Sequence, residues 1–130
     1  MQWIKQALSP LIGSEAERYA RTFLEQQGLK FVMHNYRCRT GEIDLIMQDD
    51  DELVFVEVKY RSGNQHGAAI EFFHARKKRK FESAVMYYMQ EKGFNPSVVP
   101  QRIDLVGIEG LIGLAGKSQK NQKIEWLKSV

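Results

Sequence analysis

Three charged residues in two short segments have the types and spacing to hold a divalent cation against a phosphodiester. Gly41-Glu42-Ile43-Asp44-Leu45-Ile46 carries Asp44, and Val54-Phe55-Val56-Glu57-Val58-Lys59 carries Glu57 and Lys59. Mg²⁺ or Mn²⁺ prefers oxygen donors, commonly one or two carboxylates completed by water and substrate phosphate. Asp44 and Glu57 supply the carboxylates, with the Val58 main-chain carbonyl as a further donor. Lys59, two residues along on the face of Glu57, can orient a water or offset developing negative charge. The same alternation places these charges beside Ile46 and Phe55. A partly buried charge is expensive unless it pairs or binds a cation, so these residues need an explanation. The bland one is a structural ion pair on a hairpin.

Positioning them requires a hairpin. Glu42–Met47 and Leu53–Tyr60 each alternate in a two-residue period, with Val54, Val56 and Val58 on one face and Phe55, Glu57 and Lys59 on the other. Gln48-Asp49-Asp50-Asp51-Glu52 between them reads as a solvated acidic turn. A turn centred between Asp50 and Asp51 sets Asp44 across from Glu57 and Glu42 across from Lys59. A one-residue slip would separate these faces.

The flanking segments complete a coarse order of α-β-β-β-α-β, a mixed α/β (α+β) domain with helices flanking a short sheet. The first helix is expected to start at Ser9-Pro10 and to show Ile12, Ala16, Tyr19, Ala20, Phe23 and Leu24 on one face, with Gly28 as its stop. Leu29–Met33 reads as a short strand leading into His34-Asn35-Tyr36-Arg37. Ser62–Gly67 reads as a loop, and a second helix is expected from about Ala69 to Lys92, ended by Gly93. Gln101–Ile108 is the last clear strand. Residues 109–123 read as a mobile loop, and 124–130 as a segment docking back through Trp126. The chain, 1–130, is expected to form one domain with its core at about 10–108.

Composition narrows the function classes. With 43% hydrophobic and 27% charged residues the chain is ordinary for a globular protein, and no apolar run is long enough to span a bilayer. The start, Met1-Gln2-Trp3-Ile4-Lys5-Gln6, lacks a signal-peptide layout. A single cysteine, Cys38, excludes an internal disulfide and a cysteine-built zinc cage, so a reducing cytoplasm is the expected compartment. Arg76-Lys77-Lys78-Arg79-Lys80 holds five of 19 basic residues, leaving 14 against 16 acidic ones. One basic patch on a near-neutral body points to an anionic partner. The run spans more than a helical turn, so it is either a solvated surface or a source of phosphate contacts, with Lys77 on the apolar side. Arg37 and Arg61 are candidates to line a phosphate cleft; Gln65 reads as a bystander. His34, His66 and His74 have no metal-ligand spacing. Gly116-Lys117-Ser118 lacks the preceding glycine of a phosphate loop, the required position being Leu111.

Asp44 followed by Glu57-Val58-Lys59 resembles the signature of the PD-(D/E)XK nucleases, the restriction-endonuclease-like fold. The wider set is similar to the YraN-like family of small bacterial endonuclease-like proteins, related to Holliday junction resolvases. That set comprises Gly13-Ser14-Glu15, Asn35-Tyr36-Arg37, Gly41-Glu42-Ile43-Asp44, Val54 to Arg61, Arg76-Lys77 with Ala84 and Tyr88, and Arg102-Ile103-Asp104-Leu105-Val106. It covers about residues 10–108. Ile43 stands where the signature has its proline. The resemblance implies a restriction-endonuclease-like core and Mg²⁺- or Mn²⁺-dependent hydrolysis of DNA, with branched DNA as a substrate class. It also implies Glu15 as a helix carboxylate reaching the metal site, and a homodimer. A non-catalytic nucleic-acid-binding module, or an adaptor in DNA processing, is the competing expectation. Intact Asp44, Glu57 and Lys59 favour the enzyme.

Overall fold

A computed structural model describes residues 15–61, 73–110 and 122–130. The expected helix start at Ser9-Pro10, Ile12, the 62–67 loop with Gln65, the helix start at Ala69 and Ile70, and the Gly116-Lys117-Ser118 stretch lie outside them. Residues 15–26 are helical (α1). Five strands follow, interrupted by one helix: β1 (Lys30–Cys38), β2 (Gly41–Asp49), β3 (Glu52–Arg61), α2 (Ala75–Glu91), β4 (Gln101–Glu109) and β5 (Lys123–Leu127). They form one sheet in the order β1-β2-β3-β4-β5, antiparallel except for the parallel β3–β4 pair. The architecture is the expected mixed α/β core, extended by a strand. The expected docking segment at 124–130 pairs with β4 over Leu105↔Leu127 to Glu109↔Lys123.

The two faces of the sheet are covered by different helices. Ala16, Ala20 and Leu24 of α1 pack on Leu45, Met47, Val54, Val56, Val106 and Ile108. Phe81, Ala84, Val85, Tyr88 and Met89 of α2 pack on Ile43, Ile46, Phe55 and Leu105. Odd and even positions of β3 thus serve different cores, as its alternation requires.

Both helices end on a glycine that only a left-handed turn explains. At α1, Gly28 has φ +100°, the Gly28 N–H donates to Glu25 O (3.0 Å) and the Leu29 N–H to Leu24 O (3.1 Å). At α2, Gly93 has φ +72°, with Gly93 N–H to Gln90 O (3.1 Å) and Phe94 N–H to Met89 O (2.8 Å). This paired pattern satisfies carbonyls that a helix end otherwise orphans. The start of α2 departs from expectation. His74 is extended, and its ring nitrogen accepts from the Lys77 N–H (3.4 Å), so the helix begins at Ala75. Histidine is not among the usual capping residues, and periodicity alone ran the helix past it.

The acidic turn is not simply solvated. Arg102 of β4 donates from Nη1 to Asp49 (3.1 Å) and Glu52 (2.7 Å), and from Nε to Asp104 (3.0 Å). The Trp126 indole N–H and the Ser129 N–H also donate to Asp104, at 2.9 and 3.0 Å. Asp104 is wholly buried. This network clamps the β2–β3 turn to β4 and to β5, and so pins the register on which the site depends.

Candidate active site

The β2–β3 hairpin has the expected register, running Asp49↔Glu52, Gln48↔Leu53, Met47↔Val54, Ile46↔Phe55 and Leu45↔Val56. There the ladder stops. β2 continues to Gly41 paired only with β1, and β3 continues to Arg61 paired only with β4. The two strands part at Asp44 and Glu57. In the same register Val58 would next face Ile43 across the hairpin. Instead the Val58 N–H donates to Asp44 Oδ2 at 2.7 Å. Asp44 therefore caps the backbone where the ladder opens. The expected opposition of Glu42 and Lys59 is not formed: Glu42 pairs across the other edge of β2 with Arg37 (3.2 Å).

The parting coincides with a change of face. Met33 and Ile46 pack toward α2 and Leu45 toward α1, yet Tyr36 and Ile43 face α2 again. Beyond the register shift between Phe31 and Met33 of β1, one further position on each strand breaks the alternation, and the register of His34↔Leu45 and Tyr36↔Ile43 makes these Asn35 and Asp44. Asn35 takes φ +52°, the left-handed region that asparagine tolerates. With its amide nitrogen toward Glu17, which gives every polar atom a complementary partner, Asn35 donates to both Glu17 oxygens at 2.9 and 3.1 Å.

The electrostatics of the opening follow from burial. Desolvation, then the neighbouring Glu57 charge, pushes the Asp44 carboxyl up to about 8 against the lowering effect of the Val58 hydrogen bond; Glu17 and Glu42 add further upward pressure. Glu17 is also raised, first by burial and then by Glu42, with Asn35 and Arg37 opposing. Glu57 lies on the α2 side of the sheet and meets Lys77 Nζ at 2.9 Å. Lys59, half-buried, follows it on the same face, in register with Gly107 of β4.

Each expected site residue can now be placed. Asp44 and Glu57 meet where β2 and β3 separate, the Val58 N–H bonds Asp44, and Lys59 follows two residues along β3 from Glu57. The helix carboxylate whose charge acts on Asp44 is Glu17; Glu15 pairs with Arg18 at 2.9 Å. The Oε2 of Glu15 is buried without a hydrogen-bond partner among the described residues, while Glu17, one half-turn later, is the α1 carboxylate whose charge reaches the gap. Its signal in the sequence was its spacing of three from Ala20 and seven from Leu24, both core residues. Arg61 is drawn inward, its buried side chain donating to Glu109 at 3.2 Å, so it braces β3 and β4 instead of lining an open cleft. Arg37 and Arg76 are exposed.

The donor chemistry suits a hard divalent cation of modest protein coordination. Two carboxylates on adjoining strands repel one another in a desolvated gap, and a cation relieves that repulsion. A strand residue presents its N–H and C=O to the same side, so the Val58 carbonyl shares the edge from which its N–H reaches Asp44. Among the described residues no three His, Cys, Asp or Glu side chains are grouped to hold a metal by themselves. Asp44 and Glu57 could hold an ion completed by water or substrate oxygens, such as Mg²⁺ or Mn²⁺.

A mixed five-stranded sheet flanked by helices, carrying a carboxylate pair and a lysine at the point where its hairpin opens, is a small α/β domain with a site built on its central strand. The chain belongs to the family described as Uncharacterised protein family UPF0102, whose model matches residues 16–108. It is 40% identical over 117 residues to a UPF0102 protein of Colwellia psychrerythraea, covering 90% of this chain and 85% of the relative. A UPF0102 protein of Shewanella frigidimarina is 46% identical over 96 residues, covering 74% and 86%. One from Pseudomonas syringae pv. tomato is 39% identical over 117 residues, covering 90% and 89%. The matched span contains both the Asp44–Lys59 hairpin and Glu17.

Proposed function

We propose that this protein is a divalent-metal-dependent nuclease that hydrolyses DNA phosphodiester bonds, with branched or otherwise open DNA as its substrate class. The observation that carries the reading is the meeting of Asp44 and Glu57 at the opening of the β2–β3 ladder, where Asp44 is raised by burial and by the Glu57 charge. Asp44, Glu57 and the Val58 carbonyl would hold Mg²⁺ or Mn²⁺, which supplies Lewis-acid activation of the phosphate and of water. Lys59 orients the attacking water and offsets charge developing on the phosphate. Water adds to phosphorus, the P–O bond to one sugar breaks, and that sugar oxygen leaves with a proton. Arg37, Arg76 and Lys77 supply positive charge for the flanking backbone. Glu17, held by Asn35, joins Glu15 as a candidate helix member of the site. A homodimer would suit a two-fold symmetric substrate, and the single free cysteine suits the cytoplasm.

The test is cleavage of duplex, single-stranded and branched DNA with Mg²⁺ or Mn²⁺ by wild type, Glu57→Gln and Lys59→Met. Metal-dependent cutting by wild type, reduced at least about 100-fold in both variants, is expected, as for loss of one preorganised electrostatic contact. Equal cutting by variants and wild type would overturn the site.

One observation favours a second reading. Glu57 already has a cation partner in Lys77. A site neutralised from within suits a nucleic-acid-binding module that has kept the fold without the chemistry. DNA binding by wild type with no metal-dependent cutting on any of the three substrates would select it.

A further inference from the structure

Beside the carboxylate gap, between α1 and the β1–β2 pair, lies a cavity of about 250 Å³ lined by Glu17, Arg18, Arg21, Phe31, His34 and Leu45. It shares Glu17 with the candidate site but takes no part in the chemistry proposed above. Sites for drug-sized ligands usually run to roughly 300–1,000 Å³, so this one has room for a single small ring system.

Its walls are planar. The Arg21 guanidinium lies over the Phe31 ring, 3.6 Å from the centroid. The His34 ring stands 6.1 Å from Phe31 at 42°. Stacked guanidinium, phenyl and imidazole planes are the surfaces on which unpaired bases settle, and they accept any base because every base has a π-face. Its polar groups suit the same guest. Glu17, fixed by Asn35, offers an acceptor to an exocyclic amine or, in thymine, to the ring N3–H. Arg18 and Arg21 give the rim positive charge; their ion pairs with Glu15 (2.9 Å) and Glu25 (3.4 Å) are exposed and weak, and so exchange readily for a sugar-phosphate backbone.

We propose that this cavity receives one unpaired nucleobase of the DNA strand whose backbone lies at the Asp44–Glu57 gap, so that the substrate is single-stranded or splayed DNA and not intact duplex. This rests on the nuclease reading and deepens it by naming what the protein grips. Duplex keeps its bases stacked and offers nothing to the cavity. A fork, flap or junction opens bases beside the bond to be cut.

The test is fluorescence anisotropy in EDTA with a labelled oligodeoxythymidylate and with the same backbone carrying abasic residues. Base stacking is worth about 1–3 kcal/mol per base, so wild type is expected to bind the intact strand about 5- to 150-fold more tightly than the abasic one. In Arg21→Met and Phe31→Leu that ratio is expected to fall toward one. Arg21 is only half-buried on α1, so Arg21→Met serves if Phe31→Leu impairs folding, which thermal melting reports. Equal affinity of wild type for the two strands overturns the proposal, as does an undiminished ratio in a folded variant. Because no cleavage is read, base-independent binding sinks this inference alone; failure to bind either strand strikes the nuclease reading as well.

Discussion

The Val58 amide donates to Asp44 Oδ2 at 2.7 Å across the place where two strands of one hairpin cease to pair. That bond reconciles two demands. A backbone N–H at an opened ladder needs an acceptor, and a candidate metal ligand needs to be held before the metal arrives. Asp44 answers both with one carboxylate, which is why its loss and its neutralisation should have different consequences.

Neutralisation should stabilise the metal-free protein at neutral pH. Burial and the Glu57 charge raise Asp44 to about 8, above its ordinary value of about 3.9 in an unfolded chain. The folded state therefore binds this proton more tightly. The contribution is complete below about pH 4 and is lost as pH climbs through about 8. Asp44→Asn keeps an acceptor for Val58 without a charge. In EDTA its melting temperature should match wild type near pH 4 and exceed it by several degrees at pH 8, whereas Asp44→Ala, which strands the amide, should lie below Asp44→Asn throughout. A gap that is independent of pH would show that Asp44 does not carry the proton.

Divalent ions should reverse the order. A ligand at 100 times its dissociation constant stabilises the folded state by about 2.7 kcal/mol, or roughly 5–15 °C for a domain of this size. Mg²⁺ or Mn²⁺ titrated at pH 8 should raise the melting temperature of wild type and leave Asp44→Asn and Glu57→Gln nearly unmoved. Ca²⁺ serves as an inert comparison if cutting of contaminating DNA intervenes. Equal shifts in all three proteins would place the bound ion elsewhere.

Much of this site is legible in the sequence because strand alternation and a symmetric acidic turn define a register, and Leu45↔Val56 sits where that register puts it. What alternation cannot show is where a ladder ends. The opening depends on β2 turning to β1 and β3 to β4, and the face change at Asn35 and Asp44 depends on a left-handed residue that no two-residue pattern encodes. Alternation alone sets Glu42 against Lys59, whereas Glu42 meets Arg37. Glu17 is hard to single out for a related reason: a glutamate among Ala16, Tyr19 and Ala20 looks like the rim of a helix's apolar face until the strand opposite turns a carboxylate toward it. β5 is legible only as a docking segment because the five residues Lys123–Leu127 carry too little periodicity to announce a strand.

Lys77 should tune both metal and DNA. Its Nζ lies 2.9 Å from Glu57 Oε1, a pair that is partly solvent-screened. An entering cation competes with it, and a phosphate competes with Glu57 for it. Lys77→Met should tighten Mn²⁺ binding by about 3- to 10-fold, as expected from removing one partly screened charge. The same change should lower the slope of log affinity for DNA against log salt by about one. Calorimetry with Mn²⁺ and salt-dependent anisotropy read the two effects separately. A tighter metal site with an unchanged salt slope would remove Lys77 from the DNA surface while leaving its place at Glu57 intact.

Arg102 should be the costliest single charge to lose. It serves Asp49, Glu52 and the fully buried Asp104 at once. Arg102→Met leaves Asp104 with only the Trp126 and Ser129 N–H groups. Breaking a buried pair by removing one partner typically destabilises by about 3–5 kcal/mol. Urea unfolding followed by tryptophan fluorescence should show that loss, and Asp104→Asn in the same background should recover part of it by removing the stranded charge. No recovery in the double variant would mean that the turn contacts to Asp49 and Glu52, not Asp104, carry the effect.

Gly41 tests how firmly α2 must seat for Lys77 to reach Glu57. A Cβ at Gly41 would lie 3.1 Å from the Lys80 carbonyl oxygen, and that atom is backbone, so the helix itself must yield by a few tenths of an ångström. The Thr40–Ser83 hydroxyl contact at 3.0 Å fixes the same approach from one residue away. Lys80 lies three residues from Lys77, on a helix too rigid to absorb the push locally. Gly41→Ala should therefore destabilise by about 1–3 kcal/mol, the usual range for overpacking a close contact, and loosen the Lys77–Glu57 pair with it. The second effect has its own signature, since in Gly41→Ala the Lys77→Met substitution should no longer sharpen Mn²⁺ binding. If Lys77→Met still tightens the metal site as much as in wild type, α2 has stayed in place and the strain has gone into the β1–β2 turn.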